Sequence, residues 1–338
     1  MKITTIGLDI AKSTFHLFAV DDRGKLVKKM LLKRQALLPF MATLEPCVIA
    51  LEACGGSHHW ARAFMAQGHE VKLIAPQYVK PFVKGNKNDY NDAEAIAEAA
   101  QRPRMRFVPI KTLDQQDVQN RHCQRERMKR DRTALVNQIR GLLAEYGLVM
   151  HKGVGAVRRD LPGILEDAET GLSPSARALF ADLLDELRAI DERLNRCEEA
   201  IKAVNQENEL CGRLDGVLGI GPIIASATYA AVGYGKDFVN GRHFSAWLGL
   251  VPRQYSSGGK ATLLGISKRG NTYLRTLYIH GARSVLLHSA RKTDRFSRWA
   301  QSVLERRGYN KACVAIANKL ARIAWVIMAK GEAYRAAI

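Results

Sequence analysis

The first hundred residues alternate between short apolar runs and stretches of helical spacing, and no other feature restricts the fold as strongly. Three extended runs come first, at residues 3–9, 15–21 and 25–33, and tight turns join them. Extended runs that follow one another so closely pair in antiparallel fashion. The sequence therefore predicts a three-stranded meander at the N-terminus.

Helix-like and strand-like segments alternate after the meander. Strand-like apolar runs occupy residues 47–53 and 70–76, and a proline ends the second run. Helical spacing occupies residues 35–44, 60–67 and 91–100. Three antiparallel strands followed by alternating helices and strands is the order of the ribonuclease H-like fold. The sequence therefore predicts an α/β N-terminal domain of this fold over residues 1–110.

Two long charged segments predict a helical middle region over residues 111–210. Residues 111–146 and 173–209 carry apolar side chains at three- and four-residue spacing, and glycine and proline interrupt residues 147–171 between them. The apolar positions of the second segment are nearly heptad: Leu179, Leu183, Leu187, Ile190, Leu194, Cys197 and Ile201. We expect an antiparallel coiled-coil hairpin, which forms either a packed helical domain or a dimerisation arm.

The chain is strongly basic, and its charge is unevenly distributed. Its 338 residues include 52 Lys or Arg and 33 Asp or Glu, and a net charge of +19 argues against a neutral metabolic enzyme. From Gly241 onward, 18 basic residues face three acidic ones, so this segment alone carries a net charge of +15. Lys and Arg supply most of the nonspecific affinity for nucleic acids by neutralising phosphates. The C-terminal part is therefore predicted to bind a polyanion.

An anionic membrane would also attract a basic segment, but the sequence favours a nucleic acid. The most apolar run, residues 314–329, contains Lys319 and Arg322 and has the pattern of an amphipathic helix. The N-terminus alternates like a strand and lacks the apolar core of a signal peptide. We therefore predict a cytoplasmic protein that makes no contact with a membrane.

Cysteine and histidine form no recognisable metal or redox motif. The six cysteines lack CxxC spacing and are predicted to be buried, reduced thiols; they are Cys47, Cys54, Cys123, Cys197, Cys211 and Cys313. The adjacent histidines His58 and His59 follow Glu52 closely. They are either supporting residues beside that glutamate or a surface pair at the start of a helix.

A glycine-rich turn begins the last region, residues 211–338. Gly219, Gly221 and Pro222 lie between two short helical runs, as in a helix-hairpin-helix motif. In that motif, backbone N–H groups at the turn approach a phosphate of the nucleic acid. A Gly-Ile-Gly-Pro turn can also simply begin a helix. The neighbouring basic segment favours contact with the DNA backbone.

Four acidic residues occupy positions from which their side chains can converge. Asp9 ends the first strand and Glu52 lies near the end of the fourth, while Asp89 and Asp92 stand three residues apart at a helix start. Four neighbouring carboxylates need cations, and hard oxygen ligands suit Mg²⁺. Two Mg²⁺ ions could support attack and departure at a phosphodiester. The alternative is structural, with Asp9 capping a turn and Asp92 capping its helix.

Four motifs together resemble the DEDD-type insertion-sequence transposases, which are also called bridge recombinases. They are GLDIAKS at the N-terminus, LEACGG at 51–56, KNDYNDA at 87–93 and FSAWLGLVPRQYSSGGKATLLGISKRGNTYLR at 244–275. The resemblance covers nearly the whole chain. It implies a RuvC-like domain, a mostly helical, basic C-terminal transposase domain, and an acidic tetrad formed by the four carboxylates named above.

The resemblance also implies a catalytic serine in the loop of residues 256–259. The Ser-Gly pair favours Ser257 over Ser256, and the family forms a transient phosphoserine bond to DNA. Serine needs a base or a metal and nearby cations to attack a phosphate. The candidate phosphate-binding cations after the loop are Lys260, Lys268, Arg269 and Arg275. Without the resemblance, the segment would be interpreted as a flexible turn between strands. Tyr255 beside it could stack on a base or anchor the loop.

We therefore expect a Mg²⁺-dependent recombinase that excises and inserts its own mobile element. The resemblance further implies double-stranded donor and target DNA, a noncoding guide RNA from the element, and a homo-oligomer, dimeric or tetrameric, with an active site shared between protomers. Two rivals remain open. One is a RuvC-like metal-dependent junction endonuclease in which the serine is inert. The other is a nucleic-acid-binding scaffold without chemistry.

Overall fold

The computed structural model describes residues 2–85, 88–258 and 260–334. The chain divides into two compact units, an N-terminal unit, Met1–Thr112, and a C-terminal unit, Leu113–Ile338. The first is a mixed α/β unit and the second is almost entirely helical. This confirms the predicted α/β class and the helical C-terminal region, while the three-domain division stays a prediction.

The elements of the N-terminal unit follow the predicted order closely. In chain order they are β1 (Thr5–Ile10), β2 (Thr14–Val20), β3 (Leu26–Lys33), α1 (Arg34–Ala42), β4 (Val48–Glu52), α2 (Ser57–Ala66), β5 (Glu70–Ile74), α3 (Pro76–Val79), a 3-10 turn (Lys80–Phe82), α4 (Asp89–Ala100) and β6 (Phe107–Val108). The predicted meander is confirmed, since β1 pairs antiparallel with β2, and β2 pairs antiparallel with β3.

The six strands form one mixed sheet in the order β3-β2-β1-β4-β5-β6. Strands β4 and β5 run parallel to β1, and β6 pairs antiparallel with β5. This order is consistent with the ribonuclease H-like prediction. Helices α1 and α2 cover one face of the sheet, and α4 covers the other. Since β1 and β4 are neighbours at the centre, their carboxyl ends meet at one edge of the sheet.

Gly7 sets the distance between α4 and the sheet. A Cβ atom at this position would lie 2.1 Å from the carbonyl oxygen of Ala93 and 2.8 Å from the Cβ of Ala97. No side chain fits there, so the helix backbone rests directly on β1. The other strand residues around Gly7, Ile6 and Leu8, are fully buried against the opposite helical layer. The close approach therefore fixes which turn of α4 lies over which residue of β1.

The C-terminal unit contains two long helices and several shorter ones. In chain order its elements are α5 (Leu113–Ala144), α6 (Val154–Glu166), a 3-10 turn (Ala168–Thr170), α7 (Pro174–Glu207), α8 (Glu209–Asp215), α9 (Pro222–Val232), α10 (Gly241–Trp247), β7 (Pro252–Ser257), β8 (Lys260–Ile266), α11 (Thr272–Ser289), α12 (Arg295–Arg307) and α13 (Tyr309–Lys330). The predicted helical hairpin corresponds to α5 and α7, and its interrupted tip contains α6.

Helices α5 and α7 pack against each other through an apolar seam and ion pairs. Leu187 and Ile139 are fully buried in the core that these helices share with α6. Across the seam, Arg125 Nε donates to Glu198 at 2.7 Å, and Arg132 Nη1 donates to Asp191 at 3.3 Å. Charge-assisted hydrogen bonds of this kind add geometric specificity to the apolar seam. The choice between a packed domain and a dimerisation arm stays a prediction.

The last six helices form the second large core, with α13 at its centre. Helix α13 is long and apolar enough to cross a membrane, but half of its apolar window is buried inside the protein. Ile316 and Leu320 are fully buried in the core, while Lys319 lies over the ring of Trp299 at 4.4 Å. This burial is typical of a core helix and agrees with the predicted amphipathic pattern.

All six cysteines are free, as predicted, but two are not buried. Cys54 and Cys123 are exposed, which corrects the expectation of six buried thiols. Cys54 follows the end of β4 in a glycine-containing loop, and Cys123 lies on the outer face of α5. Among the residues described, no apolar side chains cover either cysteine. Whether a residue is covered depends on tertiary packing, which the local sequence does not reveal.

Substitution of Gly7 by alanine is expected to destabilise the N-terminal unit. The added Cβ would force α4 away from β1, and overpacking of this kind costs about 1–3 kcal/mol. Calorimetric unfolding of the full chain should show a lower unfolding temperature for Gly7→Ala. Gly141→Ala is the matched control, because a Cβ at that helical position meets nothing within 4 Å. An unchanged unfolding profile for Gly7→Ala would refute the close approach.

Candidate active site and nucleic-acid interface

Asp9 and Glu52 lie at the same end of two neighbouring parallel strands. In the register of β1 and β4, Leu8 stands beside Leu51, so the two acidic residues follow immediately on each strand. Both leucines are fully buried beneath α1 and α2. Because side chains alternate along a strand, Asp9 and Glu52 are directed to the opposite face, where α4 packs.

The start of α4 brings the other two carboxylates to the same place. Ala93 lies against Gly7, so Asp89 and Asp92, in the first turn of α4, lie near the carboxyl end of β1. Asn88 caps this helix, since its side chain accepts a hydrogen bond from the backbone N–H of Tyr90 at 3.0 Å. Asp92 is therefore not the helix cap, which removes the structural alternative for this residue.

The four carboxylates interact electrostatically, and nothing described neutralises them fully. Burial and then the charges of Asp89 and Asp92 raise the pKa of Asp9 above its usual range. Burial, Asp9 and Asp92 likewise raise the pKa of Glu52. None of the ion pairs within residues 2–85 and 88–112 joins a Lys or Arg to Asp9, Glu52 or Asp92. The four predicted acidic residues thus form one cluster, which we call the acidic site.

The described residues contain no preformed metal centre. No three His, Cys, Asp or Glu side chains within them are arranged as ligands of one ion. Oxygen donors that repel one another, with no Lys or Arg paired to Asp9, Glu52 or Asp92 among the described residues, nevertheless have the chemistry that a hard divalent cation requires. The acidic site therefore fits such a cation through its donor set.

Sequence reasoning missed His16, which faces the acidic site from β2. In the antiparallel register His16 stands directly opposite Asp9. Its Nδ1 lies 3.7 Å from Oδ2 of Asp89, and its side chain is only 14% exposed. The signal was present in the sequence as a cross-strand pair, but finding it requires the register of the first hairpin as well as its strands.

The two adjacent histidines contact residues outside this cluster. His58 is half-buried, and its Nδ1 accepts a hydrogen bond from the backbone N–H of Lys111 at 3.3 Å. Burial, with Lys111 and Arg62 nearby, lowers the pKa of His58 to about 4. His59 is exposed at the start of α2 and contacts the ring of Trp60. Both lie at the start of α2, but only the exposed His59 fits the surface pair of the second interpretation, because His58 is half-buried.

Both candidate serines lie at the tip of a separate β-hairpin in the C-terminal unit. The register pairs Ser257 with Lys260 and Ser256 with Ala261, so the two serines face opposite sides. Gln254 Nε2 donates to Ser256 Oγ at 2.8 Å, whereas Ser257 Oγ has no hydrogen-bond partner among the residues described. Every residue of β7 is exposed. The predicted turn between strands is thus a hairpin tip that presents Ser257 to solvent.

The structure does not describe all of the residues predicted around the serine. Gly259 lies outside the described residues, and so does the side chain of Lys260. Tyr255 is 70% exposed on the same side of the hairpin as Ser257. The exposed ring is available for stacking, and it does not anchor the loop in a core.

Arg275 fastens the base of the hairpin instead of pointing freely into solvent. Its Nη1 donates to the carbonyl oxygens of Leu248 and Arg269 at 3.0 and 3.3 Å, and its Nη2 donates to Thr272 Oγ1 at 3.0 Å. These bonds join the end of α10 to the segment before α11. Arg275 therefore positions the hairpin base, which we define as residues 247–251 and 267–270.

The backbone of the hairpin base is closely packed, and two cations project from it. Ser267 N–H donates to Val251 O at 2.8 Å, and Lys268 N–H donates to Gly249 O at 3.2 Å. Lys268 has a φ of +54°, in the left-handed region that non-glycine residues rarely occupy. The side chains of Lys268 and Arg269 are exposed. These two predicted phosphate-binding residues are free to meet a polyanion.

The glycine-rich turn has two glycines with different environments. Gly219 has a φ of +91°, and a Cβ there would lie 2.5 Å from Val285 and 3.2 Å from the carbonyl oxygen of Gly281. It is therefore needed for packing against α11. A Cβ at Gly221 would meet nothing within 4 Å, and Pro222 begins α9 directly after it. The open backbone of the predicted turn is thus at Gly221.

Comparison with known proteins finds one family match that includes the acidic site and another that includes the serine hairpin. Residues 6–148 match the DEDD family described as transposase, and residues 211–298 match the family described as transposase IS116/IS110/IS902. The chain is 49% identical to the transposase for insertion sequence element IS1111A of Coxiella burnetii, over 98% of this chain and 92% of that protein. This chain belongs to the IS110 family of transposases.

Further relatives of the transposase match over almost their whole length. A probable family 20 transposase of Pseudomonas aeruginosa is 48% identical, and the match covers 99% of both chains. The transposase for insertion sequence element IS1328 of Yersinia enterocolitica is 40% identical over 98% of this chain and 99% of that protein. Transposases cleave and join DNA, so the transposase acts on DNA as predicted. Members of the DEDD family typically use divalent metal ions.

Removal of one carboxylate is expected to stabilise the metal-free transposase at neutral pH. The raised pKa of Asp9 means that its charge is less favourable in the folded state, so stability falls as the pH rises from 3.8 through the raised value. In a chelator at pH 7, Asp9→Asn should raise the unfolding temperature, and this gain should vanish at about pH 3.

Asp22→Asn, at an exposed turn position, is the matched control and should change nothing. An added divalent cation should stabilise the unsubstituted transposase more than Asp9→Asn. Equal stabilisation of both proteins would contradict the assignment of the cluster as a cation site.

Arg275 and Lys268 should differ when each is replaced by alanine. Loss of the Arg275 guanidinium leaves backbone carbonyls without donors, at a cost of about 1–3 kcal/mol, and should lower the unfolding temperature. Lys268→Ala should leave that temperature unchanged and weaken DNA binding, with the salt slope of log K reduced by about 1. Fluorescence anisotropy at several salt concentrations measures the slope. If Lys268→Ala lowered the unfolding temperature and Arg275→Ala only weakened DNA binding, the two assignments would be wrong.

Proposed function

We propose that the transposase excises and inserts its mobile element by Mg²⁺-dependent, serine-mediated strand exchange. The observation that carries the proposal is the acidic site, in which Asp9, Glu52, Asp89 and Asp92 meet at one edge of the sheet and influence one another electrostatically. The ribonuclease H-like, RuvC-like fold proposed for the N-terminal unit is supported by the strand order and by the DEDD family match.

The four carboxylates would hold the divalent cation. They supply hard oxygen donors, and burial together with the neighbouring carboxylates raises the pKa values of Asp9 and Glu52. A bound Mg²⁺ would polarise the scissile phosphate and offset charge at the reacting oxygens. The carboxylates would position the phosphate indirectly, because β1, β4 and α4 hold them, and the cation they bind, at a fixed place.

Ser257 is the proposed nucleophile. Its Oγ forms a bond to the phosphorus of the scissile phosphodiester and loses its proton, while the bond from phosphorus to one DNA oxygen breaks and that oxygen leaves as a hydroxyl. The phosphoserine retains the energy of the phosphodiester. Attack on it by the hydroxyl of another DNA end forms the new strand and returns the proton to Ser257. The exposed hairpin tip, with Oγ free of partners among the described residues, supports this role.

The basic C-terminal unit would bind the DNA. Lys268 and Arg269 are exposed beside the hairpin, and the backbone at Gly221 is open to a phosphate. The guide RNA, the homo-oligomer with a site shared between protomers, and the cytoplasmic location rest on the sequence resemblance and the charge. Donor and target DNA would be held by the same basic surface.

A RuvC-like endonuclease is the second candidate, because the whole acidic site lies within the N-terminal unit. Water would then attack the phosphate, and the hairpin serine would take no part. The DEDD family match suits this activity as well as strand exchange.

Ser257→Ala tests the serine mechanism against hydrolysis. The substitution should abolish both recombination and the covalent protein–DNA adduct, because no oxygen remains to attack the phosphate. Denaturing electrophoresis of labelled DNA after reaction measures the adduct. Ser256→Ala is the matched control on the opposite side of the same hairpin, and its adduct should persist.

Two outcomes would contradict the proposal. DNA cleavage by Ser257→Ala at the unsubstituted rate would favour the endonuclease. Loss of the adduct in Ser256→Ala, with Ser257→Ala unaffected, would move the nucleophile to the other serine.

A further inference from the structure

His16 is enclosed between the acidic site and the start of α4. It lies on β2, opposite Asp9, and therefore faces the same side of the sheet as that carboxylate. The Tyr90 ring meets the imidazole edge-on, with the ring centres 4.7 Å apart. Lys29, from the next strand, lies over the Tyr90 ring at 4.4 Å. These contacts hold the imidazole in one place beside two of the four carboxylates.

The Nδ1 atom of His16 is buried and has no hydrogen-bond partner among the described residues. Unsatisfied buried polar atoms are rare and costly, so such an atom points to a missing interaction. The nearest charged atom is Oδ2 of Asp89, at 3.7 Å, on a side chain that is 61% exposed. A carboxylate shift of about 0.5 Å would bring the two atoms within ordinary hydrogen-bond distance.

Asp89 needs such a partner more than the other carboxylates do. Asp9 and Glu52 are fixed by central strands, and Asp92 lies one turn nearer to the contact of α4 with Gly7. Asp89 is the first residue of α4 and the most exposed of the four. A carboxylate at a helix start can adopt several rotamers, and a donor on the sheet selects the one that turns toward Asp9.

We infer that His16 is a positioning residue of the acidic site: its Nδ1–H donates to Asp89 and turns that carboxylate toward the cation held with Asp9. The inference rests on the proposed divalent-cation site. It assigns His16 a role in ion affinity through Asp89, without a direct contact to DNA. Residues that orient metal ligands in this way typically change metal affinity by about 10–100-fold when they are replaced.

Binding of Mn²⁺ alone to the full chain, followed by electron paramagnetic resonance of the free ion, tests the role. His16→Phe keeps an aromatic ring against Tyr90 and removes the donor, so affinity should fall by about tenfold or more. His16→Asn places an amide N–H near the position of Nδ1 and should retain most of the affinity. His59→Phe, at the exposed histidine of α2, is the matched control and should bind as the unsubstituted chain does.

Asp9→Asn separates failure of this inference from failure of the cation site itself. If Asp9→Asn binds Mn²⁺ normally, the proposed site is wrong. If Asp9→Asn loses the ion while His16→Phe binds normally, only the role of His16 is refuted. Equal weakening in His16→Phe and His16→Asn would also refute it, since packing alone would explain both. Should His16→Phe fail to fold, His16→Ala replaces it, and equal affinity of the alanine and asparagine variants overturns the inference.

Discussion

The direct contact of α4 with β1 at Gly7 determines the geometry of the N-terminal unit. A missing side chain lets the backbone of the helix rest on the strand, and the contact with Ala93 sets the position of the helix along the strand axis. All four carboxylates depend on that position, because two belong to strands and two to the helix. If the helix slid along the strand by one turn, about 5.4 Å, the two pairs would no longer form one electrostatic cluster.

Most of the N-terminal unit could be predicted from the sequence because its signals are local. Apolar runs such as residues 47–53 and turn residues between them define strands without reference to the rest of the chain. The convergence of Asp9, Glu52, Asp89 and Asp92 followed from strand order. His16 could not be found in this way, because its place beside Asp9 depends on the register across a turn and on the neighbouring Tyr90.

In the C-terminal unit, less of the detail could be predicted from the sequence. Its charge was evident from composition, but the roles of individual cations were not. Arg275 and Lys268 have the same charge in the sequence, yet one binds backbone carbonyls and the other is exposed. A basic side chain donates to backbone carbonyls only where a turn leaves those carbonyls without other donors. The positions of such carbonyls are a property of tertiary structure. The two glycines of the turn before α9 differ for the same reason.

Helix α11 links the hairpin base to the glycine-rich turn of the C-terminal unit. Near its start, Arg275 holds the hairpin base, and six residues later Gly281 packs against the turn at Gly219. An α-helix rises 1.5 Å per residue, so these two contacts are about 9 Å apart along a stiff rod. The helix therefore fixes the distance between the glycine-rich turn and the base of the serine hairpin. Insertion or deletion of residues in this segment would change the distance between the turn and the hairpin base. DNA has a regular phosphate repeat, so the two parts would then meet phosphates at a different spacing.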